Sequence, residues 1–222
     1  MTVKTEYTRH SAEFSYDTQY PDWEKLGFVP GESVYVGQGK GGLSISGNPL
    51  QSDGFSFCSA LIIKNTQTLD AALFHIDSID LNYPKQTSVI RRLVKRFVSS
   101  LDLSSVETER LCTLISAATR YWNPASLSDN YYYSSEEKNS LIDRMTELNK
   151  DGIIRACYVL GDISRDVKFR VAEGLFKYLG IDNIKDILVD TGRVGWDIGF
   201  KPRESKVLVN SRKQHKVLSY SF

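Results

Sequence analysis

The chain predicts an α+β fold: a sheet sandwich packed with helices and carrying a helical insertion at about 103–150. Three observations lead there. Apolar runs of strand length, at 60–63, 71–74 and 153–160, are bounded by polar turns. Longer stretches at 86–101, 105–122 and 135–149 repeat their apolar residues with a helical period. From residue 184 the chain returns to short strands and turns. Strands therefore flank a few helices, with a β-rich close, which suggests an α+β sandwich.

The first 30 residues are polar and aromatic, broken by Pro21 and Pro30, and are expected to be an irregular extension on a single domain spanning 31–222. Residues 33–37 alternate toward a strand. Seven of the 15 glycines fall between Gly31 and Gly54. The run Gly37-Gln38-Gly39-Lys40-Gly41-Gly42 has no Gly-Lys-Ser/Thr ending and opens no helix, so a phosphate cradle is disfavoured and tight turns are expected. Runs 60–63 and 71–74 are joined by the polar turn 64–68 and read as a hairpin. Pro84 marks a boundary before the helix at 86–101, which carries Val89, Ile90, Leu93, Val94, Phe97, Val98 and Leu101 on one face and Arg91, Arg92, Lys95 and Arg96 on the other. Such a basic face is ordinarily solvated; docking of an acidic partner is the lesser reading. The helix at 105–122 buries Leu111, Leu114, Ile115, Ala118 and Tyr121, and the helix at 135–149 buries Leu141, Ile142, Met145 and Leu148. Between them lie Tyr131, Tyr132 and Tyr133, expected to cover a core edge in preference to forming a recognition surface. Ser164 caps a helix that closes at Gly180, and strands follow at 184–189, 194–200 and 205–209. The basic tail from Ser211 is expected to form a last strand and a frayed end.

Lysine plus arginine number 28 against 27 aspartates plus glutamates, so charge gives no reason to expect nucleic acid or a membrane surface as partner. No apolar run approaches the roughly 20 residues needed to span a bilayer. The amino terminus lacks a hydrophobic signal core. The expectation is a soluble cytoplasmic protein, with export by a route that uses no cleaved signal left open. The three cysteines, Cys58, Cys112 and Cys157, show no CxxC spacing, which argues against a disulfide framework and a structural zinc site. Cys112 and Cys157 sit inside apolar patterns and read as small core residues.

Cys58 differs. It follows the glycine- and polar-rich stretch 47–57 and precedes the apolar run 60–63, while His75 follows the apolar run 71–74. A hairpin returns the end of its second strand to the start of its first, so Cys58 and His75 are brought toward one another. A thiol beside an imidazole is a nucleophile with its base. Free cysteine has a pKa near roughly 8.5, and a neighbouring imidazole holds it as thiolate. Asp77 is a second candidate to orient His75, although two residues apart on one strand is poor geometry for it. A metal held by Cys58, His75 and Asp77 is not expected, since no fourth ligand is placed; neither a metal nor an organic cofactor is expected.

The spacing resembles that of the chemoreceptor glutamine deamidase family, CheD. That family has a threonine, a glycine-containing loop, a cysteine six positions on, and a histidine seventeen beyond the cysteine. Here Ser52, Cys58 and His75 keep those separations. Tyr158-Val159-Leu160-Gly161-Asp162, the helix closing on Leu179-Gly180-Ile181, and Asp190-Thr191-Gly192 before the last hairpin are similar to later parts of the family pattern. About half of the chain is covered, over roughly 33–85 and 153–210. Serine stands at 52 in place of threonine, Phe57 where a small residue is usual, and a single Gly192 in place of a glycine pair. The resemblance implies a CheD-like sandwich and a hydrolase acting on the side-chain amide of protein glutamine through a thioester. Cys58 would be nucleophile, His75 base, and Ser52 the group that orients His75. Backbone N–H groups of Cys58 and a loop neighbour would meet the oxyanion.

Two other classes stay open: a non-catalytic binding module on a deamidase-like scaffold, and a structural protein docking partners through its insertion. Related Cys-His chemistry, transglutamination or peptide hydrolysis, also fits the same residues. The expected partner is a protein presenting a glutamine side chain, with a regulatory protein docking on the 103–150 insertion; a chemotaxis-type modifier and a secreted effector are both compatible with that.

Overall fold

The computed structural model describes residues 4–7, 12–15, 22–76, 87–120, 133–161, 175–190 and 194–222. It is a mixed α+β structure built on two six-stranded sheets. In chain order the strands are β1 Lys4–Tyr7, β2 Ala12–Ser15, β3 Val34–Tyr35, β4 Gly41–Ser44, β5 Leu50–Phe55, β6 Ser59–Asn65 and β7 Ala71–Ile76. The helices α1 Thr87–Phe97, α2 Ser105–Arg120 and α3 Ser135–Leu148 follow, with a 3-10 turn at Val98–Ser100. Then come β8 Ile154–Gly161, helical residues 175–178, β9 Asn183–Val189, β10 Trp196–Lys201, β11 Lys206–Ser211 and β12 Lys216–Ser221. The first sheet runs β1-β9-β8-β6-β7-β4 and the second β2-β12-β11-β10-β5-β3.

The two sheets face one another across an apolar layer. Ala60, Ile62, Leu73, Cys157, Val159 and Ile187 of the first sheet meet Leu50, Phe55, Trp196, Ile198, Phe200, Val207 and Val209 of the second. The other face of the first sheet carries the helices: Leu61, Ile63, Ala72, Phe74, Ala156 and Tyr158 pack with Leu93, Phe97, Leu111, Ile115, Met145 and Phe176. A sheet covered on both sides needs apolar residues at every position, not every second one. That is why β6 and β7 read as unbroken apolar runs and are buried along their whole lengths. The insertion helices α2 and α3 belong to this same core. Both begin with a reciprocal cap. Ser104 and Glu107 bond to one another's backbone N–H at α2, and Ser134 and Glu137 do so at α3.

Several expectations are corrected in detail. The polar stretch 47–57 is not a loop throughout; most of it is β5, an interior strand between β10 and β3. Gly41 and Gly42 are strand residues in β4 and do not form a turn. The strand expected at 33–37 is only two residues long. The first residues add an edge strand to each sheet, β1 parallel to β9 and β2 antiparallel to β12, where an irregular extension was expected. The tail is not frayed: β12 pairs with β11 along its length, and Phe222 is buried. The basic face of α1 is partly engaged within the fold, since Arg91 and Lys95 both pair with Glu109 of α2, and Arg96 lies 3.8 Å from Asp70. Tyr133 packs at the core edge beneath Arg110, 5.7 Å from its ring centroid. Tyr131, Tyr132, Asp77, Pro84, Tyr121, Ser164 and the 191–193 turn lie outside the described residues.

Candidate functional site

β6 and β7 form the expected antiparallel hairpin, with Ala60 opposite His75. Cys58 lies two residues before Ala60 and is buried in the same inter-sheet layer, 4% exposed. His75 enters the same layer, stacked on Phe55, so the thiol and the imidazole both lie between the sheets. Cys58 itself precedes the ladder, at the end of a bend over residues 56–57.

His75 is fully buried and held from several directions. Its backbone N–H donates to the Lys40 carbonyl at 2.9 Å, fastening β7 to the chain entering β4. Its Nδ1 lies 2.9 Å from Ser52 Oγ. Ser52 comes from β5 in the opposite sheet, so this bond crosses the sandwich. The same hydroxyl donates to the Val36 carbonyl at 2.5 Å. A serine hydroxyl has one proton and two lone pairs. With its proton committed to Val36, Ser52 accepts from His75, and Nδ1 is the protonated nitrogen. In the neutral ring the basic lone pair is then on Nε2.

Phe55 stacks on the imidazole with ring centroids 3.6 Å apart and planes 9° from parallel. Trp196 stacks on the far side of Phe55 at 4.1 Å. The stack fixes the plane of the imidazole. Neither Phe55 nor Trp196 was singled out by the sequence. The one available signal was the placing of Phe55 three residues after Ser52, which looks wrong for a strand because alternate positions face opposite sides.

A bulge reconciles them. β5 and β10 pair regularly at Leu50↔Phe200 through Ser52↔Ile198, and then resume at Phe55↔Trp196. Asp53 and Gly54 together oppose Asp197. The extra residue shifts the alternation by one, so Ser52 and Phe55 both point inward while Asp53 and Gly54 are exposed. Gly54 has φ +74°, a left-handed conformation that glycine adopts without strain.

On the outer face, the Asp197 carboxylate closes this bulge. It accepts from Gly54 N at 3.0 Å, from Asn210 Nδ2 at 2.8 Å and from both Arg212 Nε, at 3.2 Å, and Arg212 Nη2. Asp197 is 1% exposed, and a carboxylate so buried requires this degree of pairing. Tyr35 donates to Asp53 at 2.7 Å. That bond, reinforced by burial and by the Asp53 and Asp197 charges, pushes the Tyr35 phenol up to about 12.

The other two cysteines are buried in apolar surroundings, and burial pushes both thiols above their ordinary range. Phe57, next to Cys58, is 54% exposed. Among the described residues no group of three or more His, Cys, Asp and Glu side chains is arranged to hold a metal ion, and no helix is long and apolar enough to cross a membrane. No family model matches the chain, and no curated protein matches it in sequence.

Proposed function

We propose that this chain is a cysteine-dependent protein glutamine deamidase of CheD-like construction. Cys58 is the nucleophile, His75 the general base and acid, and Ser52 the group that orients His75. The observation that carries the reading is the Ser52–His75 hydrogen bond, made by a serine whose own proton is already given to Val36. It leaves Nε2 as the basic nitrogen on the face that also holds Cys58. Ordinary packing does not require a buried histidine oriented by hydroxyl and ring stack beside a thiol.

In the proposed reaction the Cys58 proton passes to His75, and the thiolate attacks the glutamine side-chain carbon. The tetrahedral adduct collapses as the His75 imidazolium protonates the departing nitrogen, giving a thioester and ammonia. Water then loses a proton to His75, adds to the thioester, and the Cys58 sulfur leaves and is reprotonated. The net change is amide plus water to carboxylate plus ammonium. A partner protein supplies the glutamine, and exposed Phe57 at the mouth lies where it would meet the residues flanking that side chain.

Iodoacetamide at neutral pH tests the nucleophile. Cys58 is expected to alkylate about 10–30 times faster than an ordinary thiol, because an unperturbed cysteine is only a few per cent thiolate there. Ammonia release from a library of glutamine-containing peptides, assigned by mass spectrometry, tests the reaction, and Cys58→Ala should abolish it. Slow alkylation of Cys58, together with no ammonia, would leave a binding module on this scaffold as the better reading.

A further inference from the structure

We infer that Asp197 is a positioning residue for His75, acting across the second sheet by holding the Asp53–Gly54 bulge. This rests on the deamidase reading for its functional meaning, but its geometric content stands by itself. Asp197 touches none of the reacting groups. Its side chain lies on the outer face of β10, with Asn210 and Arg212 of the β11 side, while Ser52, Phe55 and His75 meet on the inner face. The link between the faces is backbone. Asp197 Oδ1 accepts the Gly54 N–H, and Gly54 supplies the left-handed residue. With the bulge in place, Ser52 hydrogen-bonds Nδ1 and Phe55 stacks on the ring from the same strand. Without it, period-two alternation turns one of the two side chains outward. The register restarts at Phe55↔Trp196, so the Trp196 backing of the stack depends on it as well.

A carboxylate is suited to this task. The Gly54 N–H is displaced from the regular ladder, and Asp197 replaces the missing strand carbonyl with a charged acceptor. Arg212 and Asn210 in turn hold that acceptor still. The chain of support thus runs from the guanidinium of Arg212 to Asp197 by hydrogen bonds, through the backbone of the bulge, and by hydrogen bond and ring stack to the imidazole.

Gly54 allows a clean test, because a Cβ added there meets nothing within 4 Å. Gly54→Ala therefore acts only through the left-handed backbone, whereas Gly54→Asn supplies the non-glycine residue best suited to that conformation. Full-length wild type, Gly54→Ala, Gly54→Asn and Asp197→Asn would be compared by nitrogen-15 NMR of His75 and by the pH profile of Cys58 alkylation with iodoacetamide. The expected result is a redistributed His75 tautomer signal and an alkylation rate lowered about tenfold at neutral pH in Gly54→Ala and Asp197→Asn, with Gly54→Asn close to wild type. Thermal melts run alongside identify any variant that is merely unfolded; Gly54→Asn and Asp197→Asn then carry the comparison. Folded Gly54→Ala and Asp197→Asn proteins with wild-type His75 signals overturn the inference. A wild-type Cys58 that reacts as an ordinary thiol overturns the deamidase reading instead, and the nitrogen-15 signals still decide whether Asp197 positions the ring.

Discussion

A single hydroxyl, Ser52 Oγ, sets which nitrogen of His75 is basic. It spends its proton on the Val36 carbonyl and has only lone pairs left for the imidazole. Removing it frees the ring to exchange tautomers and leaves the buried Nδ1–H without its acceptor. In the proposed reaction, Ser52→Ala is expected to lower peptide deamidation on the order of 10–100-fold, chiefly in kcat, since the imidazole itself survives. Ser52→Thr keeps the hydroxyl and should stay within a few-fold of wild type; steady-state kinetics on one active peptide would separate the two. A Ser52→Ala protein as active as wild type would remove Ser52 from the site. The β6–β7 pairing was legible because two apolar runs flank a polar turn, and the Ser52–His75 contact agrees with the spacing noted in the linear chain. Phe55 and Trp196 were not, since nothing local in Ser-Asp-Gly-Phe announces that two neighbours of a bulge will face the same way. Asp197 was equally hidden: its partners Gly54, Asn210 and Arg212 come from β5, from β11 and from the turn after β11.

Among the elements, the β6–β7 hairpin owes its geometry to Asn65. Its Oδ1 accepts from Gln67 N at 2.9 Å and Thr68 N at 3.0 Å, closing the turn, and its Nδ2 donates to the Phe97 carbonyl at 2.8 Å and to Ser100 Oγ at 2.7 Å. One buried amide therefore shapes the turn and pins the end of α1 to it. Asn65→Ala should destabilise the fold by about 2–3 kcal/mol through buried polar groups left unsatisfied, visible as a lower urea midpoint at unchanged slope. Asn65→Asp keeps the acceptor and loses the donors, so it should lose stability through α1 more than through the turn. The starts of α1, α2 and α3 were read within a residue because their apolar period repeats over several turns, whereas α1 ends at Phe97, four residues before its expected end, and passes into a 3-10 turn. β5 was missed for a physical reason. Its outward residues are polar, and its bulge interrupts the alternation by which a half-buried strand is recognised. Even the strand character of β4 residues Gly41 and Gly42 was masked by a composition that normally marks turns.

At the scale of the molecule, Lys64 ties one sheet to the other. It leaves β6 on the inner face, donates to Ser205 Oγ at 2.8 Å and to the Phe222 carbonyl, and lies 4.8 Å from the Phe222 ring centroid. Burial, with the charge of Arg155 adding to it, lowers its ammonium from 10.5 to about 8. Below about 8 the lysine is charged in both folded and unfolded chains. Between about 8 and 10.5 the folded protein has released the proton while the unfolded chain still holds it, so stability rises with pH across that window. Urea unfolding of wild type and Lys64→Met at intervals from neutral to alkaline pH should show wild type gaining on the order of 1–2 kcal/mol relative to the variant. A constant difference would mean that Lys64 does not titrate in the native state. The mixed α+β class followed from strand patterns that flank a few helical ones along the chain. The hairpin of β10 and β11 was also legible, but the joining of β5 to β10 was not, because pairing partners separated by more than a hundred residues leave no local trace.

His75 and Cys58 are not equally anchored. The histidine belongs to a strand flanked on both sides, by β6 and by β4, whereas the cysteine ends a short bend that has no such neighbours in the ladder. In the proposed reaction the roles then divide: the histidine would stay put as a fixed reference, and the residues around exposed Phe57 would have to move aside to uncover the shielded sulfur for an incoming chain.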